Sequence, residues 1–138
     1  MKIKCLIFSV ICLLGMLSFA QTNAPKQTQF LLIVRSKAAP PAEELIAPNI
    51  RHWQEFMGSL AKEGILAGGY RPGNEGETLS GAEKKEKKGS YIANEELVSS
   101  FLVINAADMA SAKKIAARCP VFELQGSVEI RPMQNTAR

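Results

Sequence analysis

Phe30-Leu31-Leu32-Ile33-Val34-Arg35 is the stretch on which the fold turns. Five apolar residues in a row, with no glycine or proline and with β-formers throughout, read as a central strand buried on both faces. A second run of this kind, Phe101-Leu102-Val103-Ile104, lies within Leu97 to Asn105. Each run is followed by a helical pattern. After the first, Pro41-Ala42-Glu43-Glu44 places proline and acids where a helix start prefers them, and Ile50, Trp53, Phe56, Met57 and Leu60 then recur at amphipathic spacing up to a stop at Gly64. Pro48 falls inside this segment and is expected to kink it or to begin a new helix. After the second run, Asp108 stands at an N-cap position before Met109, Ala112, Ile115, Ala116 and Cys119, and Pro120 ends the helix.

The remaining pieces fit around these two strand–helix units. Ile65 to Tyr70 reads as a strand whose paired glycines permit close backbone approach. Ser127 to Arg131 alternates as a last strand before Pro132. Between Thr78 and Ile92 a cluster of four lysines and two glutamates, Glu83 to Lys88, reads as the charged tip of a hairpin. Without interleaved arginines or aromatics it is a solvated tip rather than a nucleic-acid surface. The order of elements predicts an α+β fold, a ferredoxin-like antiparallel sheet with two helices on one face. The bare sheet face then needs a cover, and a second copy packed face to face, as in a dimeric α+β barrel, would supply it.

The N-terminus carries a different signal. Lys2 and Lys4 precede an apolar stretch from Cys5 to Ala20 that ends in Ser18-Phe19-Ala20 before polar Gln21. That is the pattern of a cleavable signal peptide over 1–20, too short for a membrane span of about 20 apolar residues. The expected product is periplasmic or secreted, free of the membrane after cleavage, with a flexible leader over 21–29, one domain over 30–133 and a short tail over 134–138. Removing two of the 17 basic residues leaves 15 against 13 acidic ones. Cys5 and Cys12 go as well, so Cys119 is the single mature cysteine, with no intramolecular disulfide open to it and burial as its expected state.

Several of these segments carry a resemblance. The opening strand Phe30 to Arg35, Trp53 through Met57 with Leu60 and Gly64, Leu66-Ala67-Gly68-Gly69, Phe101 to Ile104, Ala116-Ala117-Arg118-Cys119-Pro120 and Gly126-Ser127-Val128-Glu129-Ile130-Arg131-Pro132 together resemble the YCII-related proteins, including the branch known for a DGPF-type motif. The resemblance implies a ferredoxin-like fold and a homodimer of the α+β barrel type. At the DGPF position this chain has Lys88-Gly89-Ser90-Tyr91, which keeps the glycine and the aromatic residue and loses the acid and the proline. Shorter family members carry a histidine on the first helix paired with an aspartate; here Trp53 stands where that histidine is expected, and His52 is one position away.

His52 is the only histidine and Asp108 the only aspartate, so a His–Asp dyad requires these two. An imidazole is the side chain whose ordinary pKa suits proton transfer near neutrality, provided that a partner orients it. Glu55, three residues on, is an alternative partner, and capping of a helix already accounts for Asp108. Arg35, Trp53, Arg71 and Tyr91 are candidate ligand contacts; Arg35 and Arg71 end two strands and converge on an anion if those strands are neighbours. One histidine and one cysteine far apart give no metal-ligand spacing, and no glycine-rich loop between strand and helix suggests a nucleotide cofactor. Two functions stand: a dimeric small-molecule-binding or non-catalytic module, and a small lyase like the family members that eliminate HCl from chlorinated aromatics, with His52 as general base.

Overall fold

A computed structural model describes residues 28–134; the expected signal peptide, most of the leader and the end of the tail lie outside the described residues. The elements run β1 (Thr28–Lys37), α1 (Glu43–Lys62), β2 (Leu66–Tyr70), β3 (Glu77–Ser80), β4 (Lys85–Lys88), β5 (Ile92–Ala93), β6 (Glu96–Ala106), α2 (Met109–Ala116), a 3-10 helix (Pro120–Leu124) and β7 (Ser127–Pro132). The main sheet has the order β2-β6-β1-β7, every pair antiparallel, with β5 also on β6. Two β-α-β units interleaved in this way make the ferredoxin-like α+β arrangement expected from the sequence.

The centre of β1 alternates between two environments. Phe30, Leu32 and Val34 are buried, and opposite them on β6 stand buried Ile104 and Leu102. Phe56 and Leu60 of α1 and Ala112 and Ala116 of α2 belong to the same apolar cluster, so both helices lie over this one face. Leu32, Val34, Leu60 and Ile104 are essentially sealed from water, each contributing about 1.5 to 3 kcal/mol of transfer free energy. Leu31 and Ile33 point to the opposite face and are only half-buried. The expectation of burial on both faces therefore holds for one face of the described chain. Leu31 and Ile33 pair with Val103 and Phe101, and Tyr70 pairs with Phe101 from β2, so the helix-free face carries an apolar centre.

Pro48 does not divide α1, which runs unbroken from Glu43 to Lys62. A proline at the sixth helical position deprives the carbonyl of Glu44 of its partner, but Glu44 lies in the exposed first turn, where water can take that role. The helix ends where Gly64 was expected to stop it. Gly64 adopts φ +68°, its N–H donates to Ala61 O (3.1 Å), and Ile65 N–H donates to Leu60 O (2.9 Å). This is a Schellman closure, with Ile65 packed against the cluster that contains Leu60.

The predicted hairpin forms, but only Glu83 and Lys84 of the charged cluster lie at its tip, while Lys85–Lys88 are its second strand: among the described residues β3 and β4 pair only with each other, Glu77 opposite Lys88 and Ser80 opposite Lys85. They are an excursion from the main sheet, which the chain leaves after Tyr70 and rejoins at Ile92. At the other boundary β1 begins at Thr28, two residues into the expected leader, because Thr28 and Gln29 pair with Ala106 and Asn105.

Candidate functional site

The flank of α1 carries His52, Glu55 and Ser59 at spacings that place them on one side of the helix, beside buried Phe56. Facing them is the segment after α2. Arg118 precedes buried Cys119, and Pro120 opens the 3-10 helix from a position that needs no N–H. One turn later Glu123 points back at α1. His52, Glu55, Phe56, Ser59, Arg118, Pro120 and Glu123 together line an open groove between the two helices.

The contacts across this groove are specific. His52 Nδ1 lies 3.0 Å from each carboxylate oxygen of Glu123. Asn49, one turn back on α1 and only 6% exposed, donates from Nδ2 to Pro120 O (2.8 Å) and to Glu123 Oε2 (3.0 Å). At the far end Arg118 Nη2 donates to Ser59 Oγ (2.7 Å), Ser59 donates to Phe56 O (2.8 Å), and the guanidinium also reaches Glu63 at 3.3 Å. The hydrogen bond from His52, then that from Asn49, holds the Glu123 carboxyl below the usual glutamate range, against a smaller opposing effect of desolvation. With its Nδ1–H donated to Glu123, a neutral imidazole keeps its free lone pair on Nε2, the arrangement of an oriented general base.

The other sequence candidates fall elsewhere. Asp108 caps α2, its Oδ1 accepting from Ser111 N–H at 2.7 Å, and that bond leads the causes that lower its pKa. The acid beside His52 is thus Glu123, while Glu55 lines the groove. Trp53 packs edge-on against Phe56, with ring centroids 5.9 Å apart at 75°, and joins the core cluster. Arg35 lies within β1 and Arg71 just after β2, and these two strands are not neighbours, because β6 lies between them. Arg35 instead bonds Glu129 Oε2 at 2.6 Å on the neighbouring β7, and Arg131 bonds the other oxygen of the same carboxylate at 2.5 Å. This cluster and the Glu96 carboxylate, held by Ser127 (2.7 Å) and Lys37 (3.4 Å), border the helix-free face. Tyr91 is exposed at the end of the hairpin excursion. Cys119 is buried, and desolvation pushes its thiol up to about 11. Among the described residues no group of three or more His, Cys, Asp or Glu side chains is placed to hold a metal ion.

Glu123 and Asn49 were the residues that sequence reasoning passed over. The second helix stops at Ala116, short of the expected Cys119, and Pro120 opens the 3-10 helix instead of ending α2. Glu123 follows Pro120 by three residues, and its meeting with His52 spans 71 positions of sequence, so no local spacing signals it.

The order β2-β6-β1-β7 under two helices, with a carboxylate–imidazole pair on the flank of the first, defines a ferredoxin-like α+β domain with a polar groove beside α1. The family model of the YCII-related domain matches residues 29–136, and the chain belongs to that family. No curated protein matches the chain. Among the described residues no helix is long and apolar enough to cross a membrane.

Proposed function

We propose that the protein is an exported YCII-domain homodimer that binds a small molecule in the groove between α1 and the 3-10 helix. The observation that carries this reading is the assembly of His52, Glu123 and buried Asn49 from distant parts of the chain into one hydrogen-bonded group facing an open groove. A buried amide is costly unless it is satisfied, and here its satisfaction orders a carboxylate and an imidazole on the surface. Dimerisation is supported by the helix-free face, where Leu31, Ile33, Phe101 and Val103 form an apolar centre bordered by Arg35, Glu129 and Arg131. Such a core with a polar rim suits an interface. Export rests on the charged and apolar pattern of residues 1–20.

Native mass spectrometry of the protein recovered from the export compartment tests all three parts. The expected species is a dimer of chains beginning at Gln21, with a small molecule retained or taken up. A monomer that begins at Met1 and takes up nothing from a metabolite library would contradict the proposal.

The 3.0 Å pairing of His52 with Glu123 favours a second reading, a lyase. In it Nε2 of His52 removes a C–H proton from a chlorinated substrate, the freed electron pair forms the new double bond, and chloride departs. Arg118, the cation of the groove, steadies the leaving anion. Release of chloride that disappears in His52→Gln supports this reading; chloride release at equal rates in both proteins, or substrate binding with no chloride release, rejects it.

A further inference from the structure

Asn49 is the only buried polar side chain among the described residues, and its surroundings fix its orientation. Both neighbours of its terminal group, Pro120 O and Glu123 Oε2, are acceptors, so the amide nitrogen must face them and both of its N–H bonds are used. An aspartate of the same shape would set a carboxylate against a carbonyl and a second carboxylate. A leucine of similar size would leave both acceptors without their donor.

The consequence reaches His52 through Glu123. The Glu123 side chain is about half exposed and has several rotatable bonds, so nothing in the solvent confines it to the groove. Two donors do. His52 is itself half exposed and mobile by the same argument, whereas Asn49 is buried and anchored through the other N–H of the same amide by the Pro120 carbonyl, a backbone atom of the very turn that carries Glu123. Of the charged groups facing His52, Glu55 comes from its own helix, Arg118 from the segment following α2, and Glu123 from the 3-10 helix. Among the described residues only Glu123 makes a hydrogen bond to the ring.

We infer that Asn49 is a positioning residue: by clamping Glu123, it holds the neutral His52 ring in the Nδ1–H tautomer and so keeps Nε2 free as the base in the groove. This rests on the reading of that groove as the functional site. It adds a residue that touches no ligand itself and whose removal disables the base without removing it. A free neutral imidazole in water prefers the opposite tautomer, with the proton on Nε2, so the clamp has a definite spectroscopic signature.

The test is the ring 15N spectrum at alkaline pH, where the imidazole is neutral. With one histidine in the chain, its ring signals are assigned without further work. The wild type is expected to show mainly the Nδ1–H pattern, and Glu123→Gln and Asn49→Leu a reversal to mainly Nε2–H. Asn49→Ser, whose hydroxyl ends one bond short of the amide nitrogen, should give the same reversal. Backbone amide spectra report whether each variant keeps the sheet. A folded Asn49→Leu protein that retains the Nδ1–H pattern overturns the inference while leaving the His52–Glu123 pair standing. An Nε2–H pattern in the wild type would instead remove the pair itself, and with it the reading of the groove. Loss of the folded spectrum in both Asn49 variants would make the residue a structural one and also overturn the inference.

Discussion

Replacing Gly126 by alanine should destabilise the protein and loosen the site together, because this residue joins the turn that carries Glu123 to β7. A Cβ at Gly126 would lie less than 3.0 Å from Arg35 O and from Val121 Cγ2, and 3.2 Å from Val121 O. Two of those three atoms are backbone. Arg35 cannot retreat, since β1 is paired on one side with β6 and on the other with β7, and Gly126 N–H is bonded to Val121 O at 3.0 Å. Overpacking costs about 1 to 3 kcal/mol, and clashes with pinned backbone place this case at about 3 kcal/mol. Alanine regains about 0.4 to 1 kcal/mol through the unfolded chain, so the net loss is about 2 kcal/mol. For a domain of this size that lowers Tm by roughly 10 °C. Gly58 is the control: it faces solvent within α1, a Cβ there meets nothing within 4 Å, and Gly58→Ala should stabilise by about 0.5 to 1 kcal/mol. Urea denaturation of both variants, followed by far-UV circular dichroism, measures the two effects. A Gly126→Ala protein within about 0.5 kcal/mol of wild type would refute the close approach of the 3-10 turn to β1, and with it the argument that this turn aims Glu123.

Other outcomes follow from single residues. Asn94 and Glu95 form the turn between β5 and β6 with φ of 53° and 62°, a left-handed pair in which glycine is favoured at the second place; Glu95→Gly should raise stability by about 1 kcal/mol in the same urea assay. Glu96, Glu123 and Glu129 all have folded pKa values below the ordinary 4.5, chiefly through hydrogen bonds from Ser127, His52 and Arg35 respectively. The unfolded chain thus binds more protons in that range, so their stabilisation is present above about pH 4.5 and is lost as pH falls through the lower folded values. Melting temperature against pH should drop in acid, and less steeply in Glu123→Gln. Cys119, raised from 9.0 to about 11 by burial, should resist thiol reagents in the native protein and react at a rate that follows unfolding; fast labelling without loss of structure would show that the core around it opens.

The fold was largely legible because its strongest signals are local. The runs Phe30–Val34 and Phe101–Ile104 became β1 and β6 at the centre of the sheet, Gly64 closed α1, and Asp108 capped α2. Pro48 begins no new helix, because its cost depends on where the deprived carbonyl lies, and that of Glu44 lies in the exposed first turn. The site was half legible. His52 stood out as the one imidazole, but its partner was sought among Asp108 and Glu55, while the pairing with Glu123 depends on how the 3-10 helix packs on α1. Asn49 gave no signal, since nothing in the sequence around it marks it as buried. Likewise the strands of Arg35 and Arg71 are separated by β6, a matter of sheet order that no segment specifies alone.

The central claim is that a small molecule binds beside His52 rather than on the helix-free face. Titration of the protein with a library of small organic ligands, read at the Cε1–H signal of its single histidine and at the amides of β1 and β7, tests it most directly. The account predicts ligands that shift the His52 signal saturably, together with Arg118 and Glu123, and that lose this effect in Glu123→Gln. Ligands that move only Arg35, Glu129 and Arg131 and leave His52 unchanged would contradict it.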